Sequence, residues 1–513
     1  MLFGIVIAFA CQAEKQETLR RVSVTVNVNE VIGPISPYIY GTNDCRPEAW
    51  TDSKRHTFGR LGGNRWTAYN WENNASNAGK DWHHQNDGYL SDSDEPAKAV
   101  TDRLDLIQKH GAPALVTVPI QGWVAADKNA DGDVAKSGKD YLTTRFFPSL
   151  DGGPRTHALL PNKDDRVVYQ DQFVAFMERR RKEKNSPPIW YSLDNEPDLW
   201  HDTHPRIQPR RIRRRDLFER SILFAKAIKK EAPDALIFGP AVSGYMGMTR
   251  FGDNWVLDKP DFINEYLNAF VSAKGNGPPL LDVFDVHWYP EHRGGNVRVT
   301  ADDGSPEIAK ARAQAARSLF DPFFVEDSWI TGASRWPIDL IRSLKRELEH
   351  AAPGVKLAFT EYYFGGGDHP SGAVAQADVL GAFGKFGVFA ANLFHLGKTD
   401  DRYILAAFDL YRNYDGKGGM FGDSAIHAYT WDDVTLGVYA ARSNATLTIV
   451  LVNRADEPTR ASVGTLLNPL PKAESAKRYQ VAAPVAKVVP VKEVDLSDLI
   501  LPAMSATLIV LPR

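Results

Sequence analysis

Hydrophobic and polar positions follow two patterns along the chain, and the first covers residues 36–425. Short apolar runs alternate there with longer amphipathic stretches, which is typical of β/α units around a parallel sheet. The amphipathic stretches, such as residues 97–111 and 216–233, end near glycine or proline, as helices commonly do. This pattern predicts a (β/α)8 TIM barrel with long loops. Its eight candidate strands are residues 38–42, 57–62, 114–119, 189–194, 235–239, 282–288, 356–361 and 392–396.

Beyond residue 425 the helical pattern disappears, and strand-like runs follow one another between turn residues. They predict a small C-terminal antiparallel β-sandwich over residues 426–513. Residues 21–29 alternate with a period of two, so the segment 21–35 is an N-terminal strand that is a candidate to complete the sandwich. The clearest C-terminal runs are residues 435–442, 445–454, 477–483 and 505–513.

Residues 1–11 have the features of an export signal. The apolar run 2–10 is too short to span a bilayer, and the small residues Ala8 and Ala10 precede Cys11 as they do at a cleavage site. Cys11 also resembles the acylation cysteine of a bacterial lipoprotein, although no Lys or Arg precedes the run. We therefore expect a secreted or outer-surface lipoprotein, with membrane contact only through a lipid on Cys11.

The composition limits the kinds of molecule that the protein is expected to bind. The 61 basic and 64 acidic residues give a net charge of −3, which provides no positive field to hold nucleic acid or an anionic membrane. The two cysteines cannot build a disulfide framework or a cysteine-based zinc site. We expect a monomer that acts on a neutral partner.

Two glutamates occupy positions where a barrel places its catalytic groups, at the C-terminal ends of strands. Glu196 follows the fourth candidate strand, and Glu361 ends the seventh. A pair of carboxylates suits glycoside hydrolysis, because one group must protonate the leaving oxygen while the other attacks the anomeric carbon or activates water. Either glutamate alone could instead be a salt-bridged strand end, but the pair favours catalysis.

Four further polar residues end neighbouring candidate strands. Asn195 is placed to donate to a sugar 2-hydroxyl, and Arg60 to lie near Glu361 and hold it ionised. His287 and Tyr289 are placed to orient the nucleophile or a sugar hydroxyl, with a purely structural role as the alternative for each.

Aromatic residues after the candidate strands could stack on the flat apolar faces of sugars in a neutral polysaccharide. Trp66 and Trp329 are the strongest candidates, since polar residues surround them, and core packing is the alternative for each one. The full set is Trp66, Tyr69, Trp71, Trp123, Trp200, Trp288 and Trp329.

A metal site is suggested by the segment DKNADGDV. Asp127, Asn129, Asp131 and Asp133 reproduce the alternate-oxygen spacing of the first half of a calcium loop, but Gly138 stands where the closing Glu is expected. An acidic turn without a metal is the alternative.

Several long segments resemble glycoside hydrolase family 44, the retaining endo-β-1,4-glucanases and xyloglucanases. The resemblance implies a (β/α)8 barrel with a β-sandwich, Glu196 as acid/base, Glu361 as nucleophile, no cofactor for catalysis and a structural calcium ion. Leu61 stands where the family pattern has an aromatic residue, which puts one sugar contact in doubt. The matching segments are residues 58–82, 122–132, 190–207, 282–290, 359–394 and 411–424.

Two other functions stay open at this point. One is a mannanase or xylanase that uses the same mechanism, and the other is a non-catalytic surface protein that binds glycans. Activity on a panel of neutral polysaccharides separates all three.

Overall fold

The computed structural model describes residues 19–50, 54–153, 160–251, 262–397, 400–465, 469–492 and 494–513. The predicted export signal and Cys11 lie outside these ranges. Within them, no helix is long and apolar enough to cross a membrane.

Eight parallel strands close into a barrel, and their order around it is their order along the chain. The predicted fold class, a (β/α)8 barrel with a sheet-rich second domain, is confirmed. The barrel strands, numbered 1 to 8 below, are Gly41–Thr42, Gly59–Leu61, Ala114–Val118, Ile189–Leu193, Ile237–Val242, Val283–Trp288, Lys356–Tyr362 and Ala390–Leu393.

Strands 1, 5 and 8 differ most from their predicted extents, and strand 8 covers Ala390–Leu393 in place of residues 392–396. Residues Pro37–Tyr40 form a 3-10 turn instead of the start of strand 1, because Pro37 sets the first helical φ and the Ser36 hydroxyl accepts the Tyr38 N–H. Strand 5 begins two residues later than predicted and continues to Val242.

Helices surround the barrel, and several of them bury one apolar face. The helix Leu340–Ala351 shows the pattern clearly, since Leu340, Ile341, Leu344 and Leu348 are its buried residues. The α-helices are Asn64–Thr67, Lys98–Lys109, Tyr141–Thr144, Gln170–Lys184, Trp200–Thr203, Arg214–Glu231, Tyr245–Arg250, Phe262–Lys274, Pro306–Ala315, Trp329–Ser334, Leu340–Ala351, Pro370–Lys385 and Arg402–Arg412. Short 3-10 turns are Pro37–Tyr40, Pro47–Trp50, Gly79–Asp81, Val134–Ser137, Pro197–Leu199, Ala316–Leu319 and Ala473–Ser475.

A nine-stranded sheet forms the second domain. The N-terminal strand Arg20–Pro34 lies inside it, antiparallel to Ser424–Thr430 and parallel to Thr459–Gly464. Strands far apart in the sheet share one apolar cluster, so the sheet folds over on itself as a sandwich does. The other strands of this sheet are Leu436–Arg442, Thr446–Asn453, Lys477–Ala482, Val485–Val491, Leu499–Leu501 and Ser505–Pro512. Short strands in the barrel loops are Ser76–Asn77, Asn86–Asp87, Trp123–Ala125, Phe146–Leu150, Val168–Tyr169, Arg293–Gly294 and Val297–Arg298.

The outer face of this sheet packs on the helix Pro370–Lys385, which follows strand 7. Within the contact, Asp378 forms a fully buried ion pair with Arg454, with 2.5 Å between Oδ2 and Nε, and accepts a hydrogen bond from the Tyr439 hydroxyl. The second domain therefore supports the helix that backs the strand carrying Glu361.

The barrel interior changes from apolar to charged along its axis. Side chains such as Phe58, Trp190 and Val283 fill its lower end. Two residues further along strands 2 and 6, on the same face of each strand, lie Arg60 and Asp285. The charged groups are therefore concentrated toward the mouth formed by the C-terminal ends of the strands.

Candidate active site

Six predicted residues meet at the mouth of the barrel. Arg60 comes from strand 2, Asn195 and Glu196 from just beyond strand 4, His287 from strand 6, Tyr289 from just beyond strand 6, and Glu361 from strand 7. One carboxylate oxygen from each glutamate and one nitrogen of His287 all lie within 4.8 Å of one another.

Glu361 is held as a carboxylate. The Arg60 guanidinium donates to its Oε1 at 2.7 Å, and the Tyr289 hydroxyl donates to its Oε2 at 2.7 Å. Burial alone would raise the pKa of Glu361, but the charge of the Arg60 guanidinium and these two hydrogen bonds hold it below its ordinary value. An ionised carboxylate at this point can act as a nucleophile.

Glu196 has the opposite environment. Burial raises its pKa, the charge of Glu361 adds to the rise, and a hydrogen bond from His287 opposes it. The His287 Nδ1 lies 2.9 Å from the Glu196 Oε1, while its Nε2 lies 3.4 Å from the Arg60 Nη2. Because a guanidinium only donates, Nε2 is the acceptor and Nδ1–H donates to Glu196. Glu196 is thus suited to carry a proton.

Arg60 connects several groups of the site and is fully buried. Besides Glu361, its Nη1 donates to the Asn43 Oδ1 at 3.0 Å and its Nη2 to the Asn195 Oδ1 at 2.8 Å. Gly62 is required beside it, since a Cβ there would lie 2.2 Å from the Arg60 Cζ.

The turn that carries Glu196 is conformationally strained. Asp194 and Glu196 both have left-handed backbones, with φ of 69° and 43°. The Asp194 carboxylate accepts N–H groups from Ile120, Gln121 and Asn195, and burial raises its pKa to about 7. These bonds hold the strained turn in place.

Comparisons with known proteins agree with this geometry. A sequence model of glycoside hydrolase family 44 matches residues 75–292. A family 44 xyloglucanase from Paenibacillus polymyxa, solved alone and with xyloglucan, superposes with TM-scores of 0.88 and 0.86, at 35% identity over 96% of this chain and 100% of that one. The chain belongs to glycoside hydrolase family 44.

Curated relatives are longer than this family 44 chain. It is 39% identical to Endoglucanase A of Paenibacillus lautus over 86% of its own length and 65% of that protein. It is 38% identical to β-mannanase/endoglucanase A of Caldicellulosiruptor saccharolyticus over 89% of its own length and 36% of that protein. The chain therefore spans less than two thirds of either relative, and the predicted glycoside hydrolase class is confirmed at the level of family membership.

Most predicted sugar platforms in this family 44 barrel are core residues, which corrects the sequence interpretation. Tyr69 and Trp71 are 1% exposed, because the loop after strand 2 folds back, so that Tyr69 binds Asn74 and Trp71 stacks on Phe173. Trp66 lines the groove beside the mouth but is 5% exposed, since the Arg103 guanidinium covers its ring. The side chains of Trp200 and Trp288 are also fully buried, and Trp123 is partly buried.

Other aromatic side chains are open to solvent. Trp82 and Tyr89, which sequence reasoning missed, are 57% and 73% exposed in a groove of about 1080 Å³ that reaches Arg60. On the side of strand 5, Trp329 is half-exposed and packs edge-on against Tyr245, and Trp336 nearby in sequence is 74% exposed. The polar neighbours of Trp82 in GKDW and of Tyr89 in NDGY were the available signal.

The predicted calcium loop does not fit a calcium ion. Arg145 binds both carboxylate oxygens of Asp127, at 2.7 and 2.9 Å, and one of Asp131 at 2.8 Å. Asp133 pairs with Arg206, whose hydrogen bond lowers the pKa of Asp133 to about 2. Asn129 donates its backbone N–H to Asp127. Two arginines thus supply the positive charge that a calcium ion would provide, which favours the acidic-turn alternative.

A calcium titration of Asp127→Asn tests this account. We expect the variant to lose about 1 kcal/mol of unfolding free energy, because the paired hydrogen bonds to a largely buried Arg145 are weakened. Any change in Tm between calcium-loaded and chelator-treated protein should be the same in variant and wild type. If calcium raises the Tm of the wild type but not that of Asp127→Asn, this loop binds calcium and the account is wrong.

Proposed function

We propose that this protein is a retaining, endo-acting glycoside hydrolase that cleaves the backbone of neutral β-1,4-glucans such as cellulose-type glucan and xyloglucan. The observation that carries the proposal is the pair Glu196 and Glu361, whose oxygens lie within 4.8 Å at one barrel mouth while their environments shift the pKa in opposite directions. Carboxyl groups about 5–5.5 Å apart are typical of retaining enzymes, because no water fits between the nucleophile and the sugar.

In the first step Glu361 attacks the anomeric carbon, and Glu196 gives its proton to the glycosidic oxygen as the bond to that oxygen breaks. The product is a covalent glycosyl-enzyme ester and a free leaving sugar. In the second step Glu196, now ionised, takes a proton from water as that water attacks the same carbon and releases Glu361.

The surrounding groups have separate parts in this scheme. Arg60 and Tyr289 keep Glu361 ionised and fix the orientation of its carboxylate, because each donates a hydrogen bond to one of its oxygens. The Asn195 Oδ1 is engaged by Arg60 and by the Gly63 N–H, which leaves the Nδ2 group to donate to a sugar 2-hydroxyl. A hydrogen bond there that strengthens in the transition state contributes several kcal/mol.

The substrate class rests on the groove and on the relatives. The exposed rings of Trp82 and Tyr89 line an open groove that reaches Arg60, which suits a long glucan chain that is cut internally. The relatives are named xyloglucanase, endoglucanase and β-mannanase/endoglucanase. A separate mannanase or xylanase is not favoured, and two glutamates with opposed pKa shifts argue against a purely glycan-binding protein.

Export remains part of the proposal. A polysaccharide is too large to enter a cell intact, so its hydrolase must act outside, and a lipid on Cys11 would keep it at the surface. We also propose that it acts as a monomer.

Removing each glutamate should have a different effect. We expect Glu196→Ala to lose about 10²–10⁴-fold in kcat on xyloglucan but to keep relatively more first-step rate on an aryl β-cellobioside with an activated leaving group. Glu361→Ala should be inactive on both substrates, because no covalent bond can form. Steady-state and burst kinetics measure both.

Glu178→Gln is the matched control, since Glu178 is a buried glutamate hydrogen-bonded to Arg181 and Tyr191 away from the mouth. It should retain wild-type kcat per folded molecule. Equal losses by Glu196→Ala on both substrates would contradict the assignment of roles.

The pH profile of kcat/KM should be bell-shaped. Activity falls at low pH as Glu361 gains a proton, and this limb should lie below the ordinary glutamate range because its pKa is lowered. Activity falls at high pH as Glu196 loses its proton, and this limb should lie above that range because its pKa is raised. On an activated substrate, a basic limb that is unchanged in Glu196→Gln would mean that another group is the acid.

A further inference from the structure

Asp285 is a fully buried carboxylate in strand 6 that bridges the two strands beside it. Its Oδ1 accepts the Ala241 backbone N–H of strand 5 at 2.8 Å, and its Oδ2 accepts the Thr360 hydroxyl of strand 7 at 2.9 Å. Burial of a carboxylate costs a large desolvation free energy. Its presence between two strands therefore indicates a role other than packing.

The two hydrogen-bond partners of Asp285, Ala241 and Thr360, are residues that the pairing between neighbouring barrel strands skips. Between strands 5 and 6 the pairing passes from Pro240 to Val242, and it leaves out Ala241. Between strands 6 and 7 it passes from Phe359 to Glu361, and it leaves out Thr360. Each is a β-bulge, a feature that re-aims the side chains next to it and is common beside active sites.

Each bulge leads directly to one of the two glutamates. The Ala241 backbone is left-handed, with φ of 54°, and its carbonyl accepts the Glu196 N–H at 2.9 Å. Thr360 precedes Glu361, and its carbonyl accepts the side-chain amide of Asn43 at 2.9 Å. One carboxylate therefore holds the backbone on which the acid rests and the backbone from which the nucleophile projects.

We propose that Asp285 is a positioning residue that sets the separation of Glu196 and Glu361 by pinning both bulges. The inference rests on the proposed function, since it concerns the geometry of that reaction. The side chain of Asp285 forms no hydrogen bond with either glutamate. We therefore infer that it acts through its hydrogen bonds to Ala241 and Thr360.

The test removes one hydroxyl rather than the carboxylate. Thr360→Val keeps the shape of the side chain but cannot donate to Asp285, whereas Thr360→Ser keeps the hydroxyl. We expect Thr360→Val to lower kcat on xyloglucan by about 10–100-fold with KM changed by less than about twofold, because misplacement of reacting groups slows chemistry more than binding. Thr360→Ser should return kcat to within about threefold of wild type.

Asp378→Asn is the control for general destabilisation. Asp378 is also fully buried and hydrogen-bonded, but it lies at the contact with the second domain. It should lower Tm while kcat per folded molecule stays at the wild-type value. All rates are normalised to the folded fraction measured by circular dichroism.

Three outcomes would overturn the positioning role: kcat of Thr360→Val within about twofold of wild type, no recovery in Thr360→Ser, or an equal loss of kcat in Asp378→Asn. A wild-type protein that is inactive on all β-glucans would instead contradict the proposed function. In that case the same variants are compared on an activated aryl β-glycoside, and the same three outcomes decide the role of Asp285.

Discussion

Arg60 carries a positive charge that is fully buried at the barrel mouth, and its Nη1 lies 2.7 Å from the Glu361 Oε1. A buried charge is stable only when it is paired, and here Asn43 and Asn195 accept further hydrogen bonds from the two terminal nitrogens of the guanidinium. This pairing helps to keep Glu361 ionised, while burial and the negative charge of Glu361 raise the pKa of Glu196. The buried cation therefore contributes to the different protonation of the two glutamates.

The rest of the molecule fixes the positions of these charges. The parallel barrel brings the ends of strands 2, 4, 6 and 7 to one mouth. The bulge in strand 5 places the carbonyl that accepts the Glu196 N–H, and the bulge in strand 7 directly precedes Glu361. The second domain packs on the helix after strand 7 through the buried Asp378–Arg454 pair. The charged centre therefore lies above an apolar barrel core, while the contact with the second sheet stabilises the fold as a whole and does not set the geometry of the charges.

Sequence reasoning located the barrel because apolar runs and helical periodicity are local properties. It selected Glu196 and Glu361 because a charged residue at the end of an apolar strand is visible in one dimension. It failed for Tyr69 and Trp71, since a loop that folds back into the core has the same composition as one that lines a groove. It failed for the calcium loop because Arg145, the group that neutralises Asp127, lies beyond the motif. The bulges held by Asp285 depend on the pairing of separate strands, which the order of residues does not reveal.

Stereochemistry tests the two-glutamate account most directly, because it reports whether the nucleophile or a water attacks the anomeric carbon. Proton NMR of a β-glucan oligosaccharide during the first minutes of hydrolysis distinguishes the anomers before mutarotation mixes them. The account predicts that the β-anomer of the new reducing end is formed first, through a covalent bond to Glu361. If the α-anomer forms first, a water attacks instead, which requires carboxyl groups roughly 6.5–9.5 Å apart and contradicts the site described for Glu196 and Glu361.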